Sequence, residues 1–487
     1  MKKLYFETDS LDKNAREMFL LTEDIMMENA ASGIEKIIHK KTKGKPAGIL
    51  ILTGSGNNGG DGYVLARKLS QSPYKVSVLK VFEPKTEAAK LQHQRAVSAK
   101  VHFVPGLIKS DIIVDCIFGT GFHGEIPDEA KKIINKANKS KAFKIACDIP
   151  SGMDRNGTIK NLCFKSDITV TMGALKTALF LSQAKDYTGK IILQNLGISY
   201  ENFTNNAPVT PQAFLLEKKD LQLPVRNKEN QHKGNFGHAL FISGEKEGAS
   251  HLAGLSASAF GCGKVSILTE REINNFKPEL MYTRELPRDI SSVGIGMGLG
   301  TNETAFAKGN NIFSQIINKQ SLPVVLDADI FYNPYIKDFL LNHKKIILTP
   351  HPKEFAVLLK NTGVIKSFGN EFSISEILED PLTPVSAFCN VFKDSILLLK
   401  GATQIISFYN KKENKPEILI NPLGSVSLAK GGSGDILTGL ICSLLAQNYK
   451  PLDAVTNASL ALALASKKIK NTFALTPEDL IVNIKTL

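Results

Sequence analysis

Short apolar runs punctuate the first two hundred residues at Gly48–Leu52, Val76–Phe82, Ile112–Phe118, Phe143–Cys147, Ile168–Met172 and Ile191–Leu196. Charged stretches with helical spacing separate several of them, among them Glu87–Ala99 and Asp128–Ala137. Strand, loop and helix in repeated alternation predict a parallel sheet with helices on both faces. Ahead of this pattern, residues 10–40 read as helical. Met27, Ala31, Ile34 and Ile38 recur at helical spacing, and Thr22 with Glu23 and Asp24 marks a helix start.

The rhythm breaks over 199–235, where Asn, Pro, Lys and Gln accumulate from Asn202 onward. We expect a domain at 1–205, a linker at 206–224 and a second domain at 225–487. The second domain repeats the alternation. Strands are expected at His238–Ser243, Val265–Thr269, Val324–Asp327, Lys345–Leu348, Ile396–Leu399, Thr403–Phe408 and Glu417–Ile420, with a helix of small residues at Ala249–Phe260. Near the end, Thr476-Pro477-Glu478-Asp479 is a helix start with proline in the first turn.

Composition narrows the function classes. A chain of 487 residues exceeds one ordinary core. Its 43% hydrophobic and 22% charged residues are those of a globular protein, and no apolar run is long enough to span a bilayer. The opening lysines lack an apolar segment behind them, so the N-terminus reads as unprocessed. Cys116, Cys147, Cys163, Cys262, Cys389 and Cys442 form no C-x-x-C pair and accompany no histidine cluster. They read as reduced core residues of a cytoplasmic protein. The net charge of +13 comes from a lysine-rich surface without an aromatic-interleaved basic stripe, which argues against nucleic acid and for small polyanionic ligands.

Two glycine-rich acidic loops carry the candidate chemistry: Gly56-Asn57-Asn58-Gly59-Gly60-Asp61-Gly62 and Lys430-Gly431-Gly432-Ser433-Gly434-Asp435. Each precedes a helical segment, where bare backbone N–H groups can face a phosphate. In the first, Gly56, Gly59 and Gly60 are expected to supply positive φ and close approach. Three further groups follow expected strands: Asp115 with Gly119–Glu125, then Asp148–Gly152, then Lys176. An open parallel sheet gathers such groups at one crevice. Asn58, Asp115 and Ser151 offer hard oxygens suited to a monovalent or alkaline-earth cation. Asp148 and Lys176 can form an acid/base pair. Each also has a plainer reading: Asp148 as turn chemistry, Lys176 as a surface lysine.

GNNGGDG, VDCIFGTGFHGE and DIPSGMD, in this order, resemble the N-terminal domain of NAD(P)H-hydrate repair enzymes, a Rossmann-like three-layer α/β domain. The resemblance implies an epimerase that interconverts the R and S forms of hydrated NAD(P)H (NADHX and NADPHX). It implies substrate binding by Asn57, Asn58, Gly59, Gly60, Asp61, Gly119, Thr120, Gly121, Phe122, His123, Gly124, Glu125 and Asp148. It further implies K+ on Asn58, Asp115 and Ser151, and catalysis by Asp148 with Lys176. One departure is Met172–Ala178, which lacks a proline after the lysine.

In the second domain, Asp435 opens an apolar helix and can serve as a general base for phosphoryl transfer; the plainer reading is a helix cap. His351 with Glu354 has no further zinc-ligand spacing and is not read as a metal site. His232–Gly237, Gly294–Gly300, Asp327-Ala328-Asp329, Thr349–Glu354, Lys400–Gln404 and GGSGD resemble the ribokinase-like fold in its NAD(P)H-hydrate dehydratase branch. That implies adenine-nucleotide binding by Lys400, Gly401, Ala402, Thr403, Gln404 and Gly434. It implies hydrated nicotinamide on Ala249, Gly300, His351 and Asp435, with ADP as co-substrate, Mg2+ beside the nucleotide, and Asp435 assisting transfer. Ser427–Lys430 departs from the expected Met-Ala-Thr run.

The expectation is an α/β enzyme of two domains that epimerises hydrated NAD(P)H and dehydrates its S form with ADP, giving AMP and phosphate. It is expected to act on small molecules alone, without nucleic acid or membrane, as a homo-oligomer. The alternative is an ATP-dependent small-alcohol kinase carrying a non-catalytic nucleotide-binding module.

Overall fold

Residues alternate between two apolar environments along the central strands of the N-terminal half, and this dictates three layers. Ile49 and Ile51 are buried in one core with Val114, Ile145 and Cys147. Leu50 and Leu52, one position out of phase, are buried in a second core with Ile113 and Ala146. A strand apolar on both faces is stable only when helices cover both.

The computed structural model describes residues 1–70, 72–205, 209–272, 276–365 and 369–487. The chain forms two units, Lys3–Ala213 and Phe214–Leu487 with Met1–Lys2. In the first, β1 (Gly48–Thr53), β2 (Lys75–Lys80), β3 (His102–Phe103), β4 (Ile112–Cys116), β5 (Phe143–Cys147), β6 (Ile168–Met172) and β7 (Lys190–Gln194) are all parallel, in the order β3-β2-β1-β4-β5-β6-β7. The order reverses beside β1, which opens a crevice past the strand ends of β1 and β4.

The single helix expected over 10–40 is two, Asp9–Phe19 and Glu23–Thr42. Leu20 ends the first at φ 54°, and Thr22 caps the second by accepting from the Ile25 N–H at 3.3 Å. The apolar period read from Met27 to Ile38 belongs to the second helix alone.

In the second unit, β8 (His238–Ile242), β9 (Lys264–Leu268), β10 (Met281–Thr283), β11 (Ser292–Ile295), β12 (Val324–Leu326), β13 (Ile346–Leu348), β14 (Ser395–Leu399), β15 (Gln404–Asn410) and β16 (Lys415–Asn421) run in the order β16-β15-β14-β13-β12-β11-β8-β9-β10. The stretch β14 to β10 is parallel, and β15 and β16 add antiparallel strands. β10 and β11 were not expected from the sequence.

Of the expected linker, residues 206–208 lie outside the described residues. Phe214 and Leu215 pair with Leu419 and Ile420, and Leu216 is buried in the core of the second unit. The stretch 199–235, read as irregular, also contains the helix Tyr200–Asn205. All six cysteines are buried and free. No described helix is long and apolar enough to cross a membrane.

Candidate active sites

In the first unit the helix Asn57–Leu69 starts at the end of β1, with Gly56 as its N-cap. Its first hydrogen bond runs from Gly60 N–H to Gly56 O at 3.2 Å. The amides of Asn57, Asn58 and Gly59 therefore point out of the helix end, as a phosphate site requires. The glycines do not act through positive φ, contrary to expectation; none of Gly56, Gly59 and Gly60 adopts it. Gly59 and Gly60 are buried and needed for packing instead. A Cβ on Gly59 would stand 2.1 Å from Gly54 O, and one on Gly60 2.9 Å from the Met27 side chain. Gly56 faces open space.

A cavity of about 530 Å³ lies above this helix end. Asn57, Asn58, Asp61, Gly119, Thr120, Gly121, Phe122, His123, Asp148 and Lys176 line it. Gly124 and Glu125 do not; with Phe122 and His123 they line a neighbouring pocket of about 190 Å³. Phe118 and Phe122 stack at 4.4 Å and stiffen the loop between them.

Asp148 follows β5 at φ 69°, a left-handed conformation that costs a non-glycine residue energy and that asparagine and aspartate tolerate best. Its carboxylate pairs with Lys176 Nζ at 2.6 Å, and both side chains are largely buried. Lys176 also donates to Met172 O at 2.9 Å and Thr171 Oγ1 at 3.2 Å. Its backbone is held on both sides: Tyr5 N–H bonds Leu175 O, and Thr177 N–H bonds Tyr5 O, each at 2.9 Å. Lys176 is thus a buried partner of Asp148 rather than a solvated surface lysine.

Asp115 and Ser151 lie beneath the cavity wall, fully buried. Ser151 donates to Asp115 through its hydroxyl at 2.7 Å and its backbone N–H at 2.8 Å. Phe118 N–H donates to Ser151 Oγ at 2.9 Å. Burial pushes the Asp115 carboxyl up to about 6 against these hydrogen bonds. Asn58 is the exception in this cluster. Both ends of its side-chain amide are buried without a hydrogen-bond partner. An orphaned amide oxygen, a desolvated carboxylate and a hydroxyl are donors that fit a hard, weakly charged cation. No group of three His, Cys, Asp or Glu residues suited to a metal occurs among the described residues.

Sequence reading missed Asp12. It lies on the first helix, lines the same cavity, and is pushed up to about 7 by burial, against the lowering effect of Lys176 and with Asp148 adding to the rise. No motif marks it. Burial also pushes Asp61 well above the carboxylate range, with Asp148 adding to it.

In the second unit the helix Ser433–Ala446 begins at Gly432, which takes φ 92°. The first helical bond joins Ile436 N–H to Gly432 O, so the Gly434 and Asp435 amides face outward. Lys400, past β14, pairs with Asp327 at 2.7 Å and Glu354 at 3.6 Å. Thr438 donates to Asp327 at 3.0 Å. Burial alone would lower the Lys400 ammonium, but Asp327, Glu354 and Asp435 outweigh it and hold it above its ordinary value. Asp435 is pushed up to about 7 by burial and by Asp327, against the pull of Lys400. A Cβ on Gly434 would stand 3.4 Å from Lys400 Nζ, so loop and lysine share one site.

His351 and Glu354 form a capping box on the helix Pro352–Thr362: Glu354 N–H donates to His351 Nδ1 and His351 N–H to the Glu354 carboxylate. This accounts for the pair without a metal. Gly300 takes φ 100° and donates its N–H to Asp329 at 2.9 Å. Ala249 sits in the first turn of the helix Glu247–Ala259. The side chain of Gln404 accepts from Ser459, and Thr403 is buried. Asp327 and Glu354 thus join the site, though sequence reading gave neither a role in it.

Comparison with known proteins agrees with this division. The family model described as YjeF-related protein N-terminus matches residues 23–178, and that described as NAD(P)H-hydrate dehydratase matches residues 239–486. The chain is 41% identical to the bifunctional NAD(P)H-hydrate repair enzyme of Helicobacter pylori over 100% of both chains. Among solved structures, a ribokinase-like superfamily protein of Enterococcus faecalis is similar at TM-score 0.47 and 21% identity, covering 57% of this chain and 96% of that one. An ADP/ATP-dependent NAD(P)H-hydrate dehydratase of Bacillus subtilis, co-crystallised with ATP and Mg2+, is similar at TM-score 0.44 and 26% identity, covering 56% of this chain and 97% of that one. The chain belongs to the family of bifunctional NAD(P)H-hydrate repair enzymes.

Proposed function

We propose that this bifunctional NAD(P)H-hydrate epimerase and dehydratase carries its two reactions on the two residue clusters described above. The buried Lys176–Asp148 pair on the cavity wall is the observation that carries the epimerase assignment. The outward amides of Asn57–Gly59 are suited to the substrate diphosphate, and Thr120–His123 close one side of the cavity.

Asp148 serves as a proton-transfer group at the hydroxyl-bearing carbon, and Lys176 holds its carboxylate in place. Asn58, Asp115 and Ser151 would hold K+, which when bound supplies positive charge beside the substrate. The orphaned Asn58 amide supports this.

In the dehydratase, Asp435 accepts the proton of the substrate hydroxyl as the terminal phosphoryl group of ADP is transferred to it. The outward amides at the start of its helix, with Lys400, stabilise the developing negative charge. Loss of phosphate and of the neighbouring carbon's proton then restores NAD(P)H and leaves AMP and phosphate. Mg2+ belongs with the nucleotide, where it neutralises phosphate oxygens. Ala249, Gly300 and His351 form the nicotinamide side of this reading; Gly401, Ala402, Thr403 and Gln404 form the adenosine side. A cytoplasmic location, supported by six free buried cysteines, and a homo-oligomeric state complete it.

The test supplies purified R-NADHX with ADP. Wild type is expected to regenerate NADH, whereas Asp148→Asn converts R-NADHX only at the spontaneous rate yet still repairs S-NADHX. Repair of R-NADHX by Asp148→Asn at the wild-type rate would contradict the assignment.

A further inference from the structure

Hydration of NAD(P)H places a hydroxyl on the ring carbon next to nitrogen, because water adds to an enamine at that carbon. Inversion through the iminium breaks the C–O bond of that centre and re-forms it on the opposite face. The departing hydroxyl needs a proton, and the entering water must lose one. Asp148 is anchored by its turn, by Lys176 and by the Met172 N–H at 3.3 Å. A carboxylate so fixed serves one face of a ring.

We propose that Asp12, on the helix Asp9–Phe19, is the second proton-transfer residue of the epimerisation, opposite in role to Asp148; this rests on the epimerase reading above. Four observations carry it. Asp12 lines the cavity together with Asp148 and Lys176. The backbone pairing of Tyr5 with Lys176 pins the chain beside the catalytic pair seven residues before Asp12. Asp12 N–H bonds the buried Thr8 at 2.9 Å, fixing the start of the helix. The Asp12 carboxylate has no hydrogen-bond or ion-pair partner among the described residues, so it is free for a ligand.

Besides His123, which also lines the cavity, the other charged groups there have partners of their own. Asp9 pairs with Arg155 at 2.6 Å, Arg16 with Glu23 at 3.6 Å, and Asp61 faces the Cys147 thiol at 3.8 Å. Residues 1–22 precede the matched family region, so nothing in that match assigns Asp12 a role.

In one direction Asp12 donates its proton to the departing hydroxyl as the C–O bond breaks and the ring nitrogen's lone pair forms the iminium. Water adds to the other face, its electron pair forming the new C–O bond while the iminium electrons return to nitrogen. Its extra proton passes to Asp148. The reverse reaction exchanges the two roles, so no oxidant or further reactant is needed. The Asp12 carboxyl, raised to about 7, is divided between both forms near neutrality. The charged groups that set it are Lys176 and Asp148, which line the same cavity, and Asp9 and Arg16 on its own helix.

The experiment measures R-to-S conversion of NADHX chromatographically, without ADP and with the spontaneous rate subtracted, for the full chain and for Asp12→Asn and Asp12→Glu across pH 5–9. Asp12→Asn is expected to lose about 10²- to 10⁴-fold in kcat with KM changed less than about threefold, and to lose one limb of the pH profile. Asp12→Glu keeps a carboxyl and is expected to retain that limb at a reduced rate. Asp12→Asn within threefold of wild type, or Asp12→Glu lacking the limb while binding NADHX normally, overturns the proposal. Absence of epimerisation in wild type sinks the epimerase reading itself, and loss in Asp148→Asn alone keeps that reading and rejects Asp12.

Discussion

Asp148 and Lys176 illustrate how a residue acquires its chemistry from what surrounds it. As isolated letters they read as a turn aspartate and a surface lysine; the strand ends place them 2.6 Å apart and bury both. Substituting Lys176→Met leaves the Asp148 carboxylate buried without its partner. The expected cost is about 3–5 kcal/mol, read as a lower melting temperature together with lost epimerisation. Asp435 makes the opposite prediction for stability. Its folded pKa, about 7, lies above the ordinary carboxylate value, so the folded state binds that proton more tightly. Its contribution is full below about pH 4 and is lost as pH rises through about 7. Asp435→Asn, which stays neutral, should therefore melt roughly 2–5 °C above wild type at pH 8, where wild type carries the buried charge, while dehydration is lost. Thermal melts with paired activity assays check both halves. Asp12 shows the limit of sequence reading at this scale. It lies on a short charged helix with no motif, and tertiary packing of Leu11 and Ala15 together with the Tyr5–Lys176 pairing places that helix at the cavity.

At the scale of elements, apolar periodicity made the parallel strands legible because a strand buried on both faces must be apolar throughout. β11, Ser292-Val293-Gly294-Ile295, is concealed because it is short and Gly294 interrupts its apolar run. The break at Leu20 was invisible, since it depends on a left-handed cap adopted by a leucine. The glycine loop opens a helix as expected, but its glycines do not take positive φ, and Gly59 is needed where two backbones meet. Gly59→Ala should destabilise the first unit by about 1–3 kcal/mol and lower epimerisation, because the added Cβ strikes Gly54 O. Gly56→Ala, facing open space from an extended backbone, is the control and should melt within about 1 °C of wild type. A similar loss of stability in both variants would contradict the packing account.

For the whole molecule, the two clusters predict separable chemistry. Epimerisation should depend on K+ and respond weakly to Mg2+, whereas dehydration should require Mg2+ with the nucleotide. Asn58→Leu fills the orphaned amide's place with an apolar group and should abolish the K+ response of epimerisation while sparing dehydration. Rates measured in K+ against tetramethylammonium salts decide this. Two-domain organisation and family were legible because the motifs are dense and ordered. The carboxylates around Lys400 were not, because burial and mutual distance, rather than sequence spacing, make Asp327 and Glu354 matter to Asp435.

The central claim is that one chain repairs both epimers by passing R-NADHX through the Asp148 site and S-NADHX through the Asp435 site. The direct measurement is recovery of absorbance at about 340 nm, where the reduced nicotinamide absorbs, from an epimeric NADHX mixture with ADP. Wild type should recover the whole mixture, Asp148→Asn the S fraction with a slow spontaneous remainder, and Asp435→Asn nothing. Full rapid recovery by Asp148→Asn, or a stable phosphorylated alcohol in place of NADH, would contradict the account.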